Sequence, residues 1–220
     1  MKFIYVILSA TRTVPARLIR IYTGATYSHS SICLREDLQG MCSFARKRIS
    51  NPLDGGFVIE SPMTLSMGKD IFVKVKVFRI PVNDEEYARA SEFITAIKND
   101  SEGYIYNILS ILTATFGHYS NVYKSFICTN FVIKVLEISG VLPAEMKKST
   151  EIYTPSDIEE IFNDCVYYEG DLRKYPPIKN IEYVNELYFS HIGVLSETKE
   201  TFRTFKRFIK RYALSRGLKK

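Results

Sequence analysis

At 220 residues, with 46% hydrophobic and 13% aromatic content, the chain is long enough for one globular core of ordinary size. Its formal charge of +6 invites a nucleic-acid reading, but residues 196–220 hold nine Lys/Arg and two Glu, a net of +7, which leaves the body at −1 and removes charge as an argument for such a partner. Cys33, Cys42, Cys128 and Cys165 fall at irregular spacings with no C-x-x-C and no Cys/His cluster. That spacing argues against both a disulfide framework and a structural zinc, and the four read as thiols in a reducing cytoplasm with no metal or cofactor implied.

The chain opens on M-K-F-I-Y-V-I-L-S-A, whose apolar run is short and is followed at once by Thr11-Arg12, so a buried strand near 2–8 fits better than a signal peptide. No apolar run reaches the roughly 20 residues that a membrane-spanning helix requires. A helix is expected near 14–23, then strands near 28–34, 41–45, 56–61 and 71–79. Asn83, with Glu86 three residues on, forms a capping-box start for a helix near 84–98, and a second helical stretch is expected near 104–116. The run F-I-C-T-N-F-V-I-K-V-L-E-I-S-G opens a helix at Cys128, with Phe131, Val132, Val135, Leu136 and Ile138 on an apolar face and a stop at Gly140. T-P-S-D starts a short helix near 155–162 with Pro155 in its first turn. A strand near 164–168, extended structure near 181–188 and an amphipathic basic helix over 196–220 complete an α+β pattern: one domain over 1–195 and a tail.

Chemistry concentrates in three of these elements. A thiol at a helix N-terminus faces unpaired N–H groups and a partial positive charge, which lower its pKa and make Cys128 a nucleophile. His29, in the strand Y-S-H-S-S-I-C-L, can act as its base, and Glu60, in G-G-F-V-I-E, can orient the imidazole. Period-two alternation puts His29, Ser31 and Cys33 on one strand face, expected to border a cleft, and turns Ile32 and Leu34 to the core. His118, in a polar loop, and His191 lie outside any paired motif.

In their order, these residues resemble the circularly permuted branch of the NlpC/P60 superfamily of papain-like cysteine hydrolases and transferases. S-H-S-S-I is similar to its histidine strand and F-V-I-E-S-P to the strand of its third residue. F-I-C-T-N-F-V-I-K-V-L is similar to its nucleophile helix, with Thr129-Asn130 in place of Ser-Glu, and T-P-S-D-I to the helix start that follows. The resemblance covers most of residues 1–162. It implies a papain-like fold whose antiparallel sheet packs against the helix carrying the cysteine, and amide, ester or thioester cleavage through a Cys128 acyl-enzyme, with His29 moving the proton and Glu60 holding the ring.

Backbone N–H groups at the helix start would meet the oxyanion, and Tyr27, Tyr104 and Tyr106 are equal candidates to assist. The substrate expected is a peptide or a lipid-linked acyl group. Arg46, with Lys47 and Arg48, lies in a loop between the His29 and Glu60 strands and could hold an anionic substrate group. A non-catalytic peptide- or lipid-binding module of the same fold is the alternative. A nucleic-acid-binding protein is the reading from a further class, and no RNA- or DNA-reading motif supports it.

The tail carries Phe202, Phe205, Phe208, Ile209 and Tyr212 at helical spacing, flanked by Lys206, Arg207, Lys210 and Arg211. It can dock its aromatic face on the body, or lie on an anionic membrane surface and make the protein peripherally membrane-associated. Five apolar residues within eleven positions favour docking.

Overall fold

The computed structural model describes residues 1–11, 25–51, 53–69, 71–107, 110, 122–143, 153–178, 185–191 and 193–217. The helix expected near 14–23 lies outside them, as does His118. Five strands, β1 (Lys2–Ser9), β2 (His29–Cys33), β3 (Cys42–Arg46), β4 (Gly55–Ile59) and β5 (Lys74–Val82), are joined at the far edge by β8 (Val166–Asp171). The six form one sheet in the order β4-β3-β2-β1-β5-β8, every pairing antiparallel. A shorter parallel pair, β6 (Ile105–Tyr106) and β7 (Ser125–Phe126), stands apart. The protein is therefore of the α+β class, with helices packed on an antiparallel sheet.

Both faces of the sheet are buried. On one, Ile4, Val6, Leu8, Ile32, Phe44, Phe57 and Phe78 pack under Phe131, Val132, Val135 and Leu136 of the Cys128–Ser139 helix, with Ala90 and Ile97 of the Asp84–Asn99 helix beside them. On the other, Tyr5, Ile7, Cys33, Val75 and Val77 pack under Leu65, Leu172 and Tyr175. The face shared by His29, Ser31 and Cys33 is therefore core at its Cys33 end, with His29 and Ser31 turned to Glu60. Central strands covered on both sides carry apolar residues at successive positions, as Ile4 to Leu8 do, so alternation marks the faces without showing which is covered.

Local signals set the helix ends. Asn83 Oδ1 accepts from Glu86 N at 2.9 Å and Glu86 Oε2 accepts from Asn83 N at 2.8 Å. Thr154 and Asp157 close the same box ahead of the Pro155–Ile161 helix. The Cys128 helix stops at Gly140, whose φ of +94° is left-handed and suits glycine. Arg89 donates to the Ser139 carbonyl at 3.0 Å, tying the two long helices together. A short Pro62–Leu65 helix, capped by Ser61, is not signalled by periodicity.

Two expectations fail. Residues 105–106, at the start of the helical stretch expected near 104–116, are a strand, because Ile105 and Tyr106 pair with Ser125 and Phe126 from twenty positions on; 108–109 and 111–116 lie outside the described residues. Glu186–Phe189, expected to be extended, is a single helical turn capped by Asn185.

The tail is helical over Val194–Gly217 and docks, but not by its aromatic face. Thr201 Oγ1 and the Glu197 carbonyl accept from Asn51 Nδ2, Thr204 Oγ1 donates to Asp54 Oδ1 at 3.2 Å, and Arg207 reaches Glu102 and the Tyr104 carbonyl. Ser215 Oγ accepts from Tyr123 N at 2.7 Å. Phe208 and Tyr212 are half-buried, whereas Phe202, Phe205 and Ile209 are 68%, 59% and 52% exposed. Asn51 is a buried amide whose Nδ2 finds its acceptors on the tail, and buried Asp54, paired with Arg48, takes a further hydrogen bond from Thr204. That demand sets the rotation of the helix.

Candidate active site

The position of Cys128 follows from β7. Phe126 pairs with Tyr106, Asn107 N donates to the Phe126 carbonyl at 2.9 Å, and the chain turns through Ile127 into the Cys128 helix. Beneath it, Phe44, Phe57, Phe126 and Phe131 pack with ring centroids 5.1 to 6.0 Å apart, which holds the first helical turn on β3 and β4. The N-cap residue is Ile127, and no side chain caps the helix. Its leading N–H groups therefore carry the partial positive charge of the helix end without a side-chain acceptor from the cap position.

His29 opens β2 opposite Ser9, and Glu60 follows β4, its backbone N donating to the Met41 carbonyl at 2.7 Å. Across β3 the two side chains meet, with imidazole Nε2 2.9 Å from Glu60 Oε1 and 3.1 Å from Oε2. Ser31 Oγ donates to Glu60 Oε2 at 2.5 Å, and Ser43 Oγ lies 3.2 Å from His29 Nε2. The imidazole is 12% exposed and the carboxylate 7%. With Nε2 committed to Glu60, Nδ1 is the nitrogen left for a proton from the thiol.

Cys128 supplies that thiol. His29 and Ser30 are the neighbours whose electrostatics act on it. Burial alone would raise its pKa, but the His29 hydrogen bond, the His29 charge and the Ser30 N–H together hold it below the ordinary thiol value. Burial likewise would lower the His29 pKa, and the Glu60 charge with the hydrogen bonds to Cys128 and Glu60 holds it well above the ordinary value. The two shifts favour a thiolate beside an imidazolium. The other cysteines differ: burial pushes Cys33 up to about 12, Cys42 well above its ordinary value, and Cys165 upward. Among the described residues no group of three His, Cys, Asp or Glu is arranged to hold a metal ion.

The tyrosines separate. Tyr106 borders the site: burial raises its hydroxyl pKa, and the nearby charges of Cys128, Arg46 and Glu60 all act on it. Tyr104 stacks on Phe126 at 5.9 Å and packs its edge on Phe44, so its ring belongs to the cluster beneath. Tyr27 turns away and donates to Glu169 Oε1 of β8 at 2.9 Å. Arg46 sits between Tyr106 and Tyr188, its guanidinium 5.8 Å from the Tyr188 ring centroid. Lys47 and Arg48, grouped with it in the sequence, are engaged elsewhere, with Glu102 at 2.7 Å and Asp54 at 2.9 Å. His191 is exposed. Ser43 and Tyr188 are the neighbours that sequence reasoning missed. Ser31 was legible as the residue sharing a face with His29, whereas Ser43 needed the β2–β3 register.

Gly55 holds Tyr106 against this wall. A Cβ there would meet the Tyr106 Cβ at 2.7 Å and Cδ1 at 2.8 Å, so the ring or the strand would have to move. Gly55→Ala should lower stability by about 1–3 kcal/mol through overpacking. The check is a drop in the denaturant midpoint at constant m-value, and an unchanged midpoint would refute the contact.

No family model matches this chain, and neither the curated proteins nor the solved structures give a match.

Proposed function

We propose that the protein is a cysteine-dependent hydrolase or acyltransferase that cleaves an amide, ester or thioester bond through a Cys128 acyl-enzyme, with the fold and triad order of the circularly permuted NlpC/P60 type. The observation that carries the reading is a buried imidazole clamped by a carboxylate at 2.9 Å, with a thiol at a helix start without a side-chain cap whose pKa that imidazole lowers. Nothing in a purely structural packing calls for all three together. The match of the S-H-S-S-I, F-V-I-E and F-I-C-T-N-F-V segments to that superfamily's pattern supports the same assignment.

In the reaction, the Cys128 thiolate attacks the carbonyl carbon, and the oxyanion is met by N–H groups of the first helical turn. The imidazolium of His29 then protonates the leaving amine, alcohol or thiol as the carbonyl reforms, leaving the acyl group on sulfur. Neutral His29 next removes a proton from water, or from an acceptor nucleophile, which attacks the thioester and releases Cys128. Glu60 keeps the ring oriented and its charged form stabilised throughout. Tyr106 walls the site beside the sulfur, and Arg46 behind it favours substrates with a negative group near the scissile bond.

The test is acyl transfer from an activated ester. With p-nitrophenyl acetate, a burst of one nitrophenol per protein and an acetyl adduct on the Cys128 peptide are expected, with His29→Ala slowing the burst by about 10²–10⁴-fold. Absence of any adduct on a thiol that still alkylates readily would instead assign a non-catalytic binding module.

A further inference from the structure

The docked tail leaves one of its faces unused, and that face has a definite composition. Asn51, Asp54, Glu102 and Tyr123 take up the side carrying Thr201, Thr204, Arg207 and Ser215. On the opposite side Leu195, Phe202, Phe205 and Ile209 form an outward apolar stripe, with Leu195 82% exposed. Lys199, Lys206 and Lys210 run along one margin of the stripe, all exposed. Arg203 and Arg207 are drawn to Glu102, but these three lysines make no ion pair among the described residues.

We infer that this stripe is a membrane-docking surface, which lays the Val194–Gly217 helix in the interface of an anionic bilayer with the phenyl rings among the acyl chains and the lysines at the headgroups. The helix's length and pattern suit that placement: it is amphipathic, and among the described residues no helix is long and apolar enough to cross a membrane. Charge selects the occupant. A second copy docked antiparallel on the same stripe would set one row of lysines against another, whereas an anionic headgroup layer complements all three. The apolar side chains alone would leave the stripe open to any hydrophobic partner, and the lysine margin makes the choice. The inference stands independently of the proposed chemistry, since no residue of the Cys128, His29 and Glu60 group is involved.

Co-sedimentation of the full chain with vesicles tests it. Binding is expected to phosphatidylcholine vesicles containing about a third phosphatidylserine, at least about tenfold tighter than to phosphatidylcholine alone, and weakened by raising salt from about 0.1 to 0.5 M. The combined Phe202→Ser, Phe205→Ser and Ile209→Ser variant should lose about tenfold or more, and Lys206→Glu with Lys210→Glu should do the same, both with unchanged far-ultraviolet circular dichroism because the substituted side chains face outward. Failure to bind either vesicle, equal binding to both, or retention by the apolar variant would overturn the inference. So would a concentration-dependent dimer that the apolar variant dissolves, which would make the stripe a self-association surface.

Discussion

Iodoacetamide at neutral pH should alkylate Cys128 at least about a hundredfold faster than Cys33, Cys42 or Cys165. The reason is the thiolate fraction. A thiol pushed up to about 12, as Cys33 is by burial, holds on the order of 10⁻⁵ of its population as thiolate at pH 7. Cys42 is also buried, and Cys165 is raised by burial and by Asp164. Cys128 is the one whose shift runs the other way, and it does so against its own burial, through the His29 hydrogen bond and charge and the Ser30 N–H. His29→Ala removes the first two and leaves burial dominant, so the rate at pH 7 should fall by about two orders of magnitude and recover as pH is raised. Peptide mapping after partial labelling separates the four sites. Equal labelling of all four, or a Cys128 rate indifferent to His29→Ala, would remove the nucleophile assignment.

How much of this was legible beforehand depends on how far apart in the chain the cause of each feature lies. The strands from Lys2–Ser9 to Lys74–Val82 and the helices at Asp84, Cys128 and Pro155 declare themselves through short-range patterns: an apolar run, a capping box, a proline in the first turn, a left-handed glycine at the end. The three elements that hold Cys128, His29 and Glu60 were legible locally, but the meeting of His29 and Glu60 was not, because the sheet register that brings Glu60 across β3 to His29 has no local signature. The pairing of Ile105 with Ser125 is likewise non-local, and a two-residue strand gains nothing from its own sequence. The tail is the sharpest case. Its hydrophobic pattern pointed the phenyl rings inward, yet two buried polar side chains on the body, Asn51 and Asp54, turned the helix the other way.

Glu60→Ala should lower stability by about 3–5 kcal/mol near pH 6, a fall in Tm of roughly 6–20 °C for a chain of this size. Two groups lose a partner at once: the His29 imidazole and the Ser31 hydroxyl that donates to Oε2. Ser31 is fully buried, so its orphaned hydroxyl alone costs about 1–3 kcal/mol. Glu60→Gln keeps one acceptor oxygen, for Ser31 or for His29, and should cost less than Glu60→Ala. The loss in Glu60→Ala should also depend on pH in one direction. Burial lowers the His29 pKa, but the Glu60 charge, with the hydrogen bonds to Cys128 and Glu60, carries it well above the unfolded value near 6.5. A group with a raised folded pKa contributes stability that is fully present below its unfolded pKa and is lost as pH rises through the folded one. The gap between wild type and Glu60→Ala should therefore be widest at about pH 6 and narrow toward pH 9, measured by urea denaturation at each pH. A gap below about 1 kcal/mol at pH 6, or one that stays constant from pH 6 to 9, would show that Glu60 does not hold His29 in its charged form, and the thiolate beside it would lose its counter-charge in the same result.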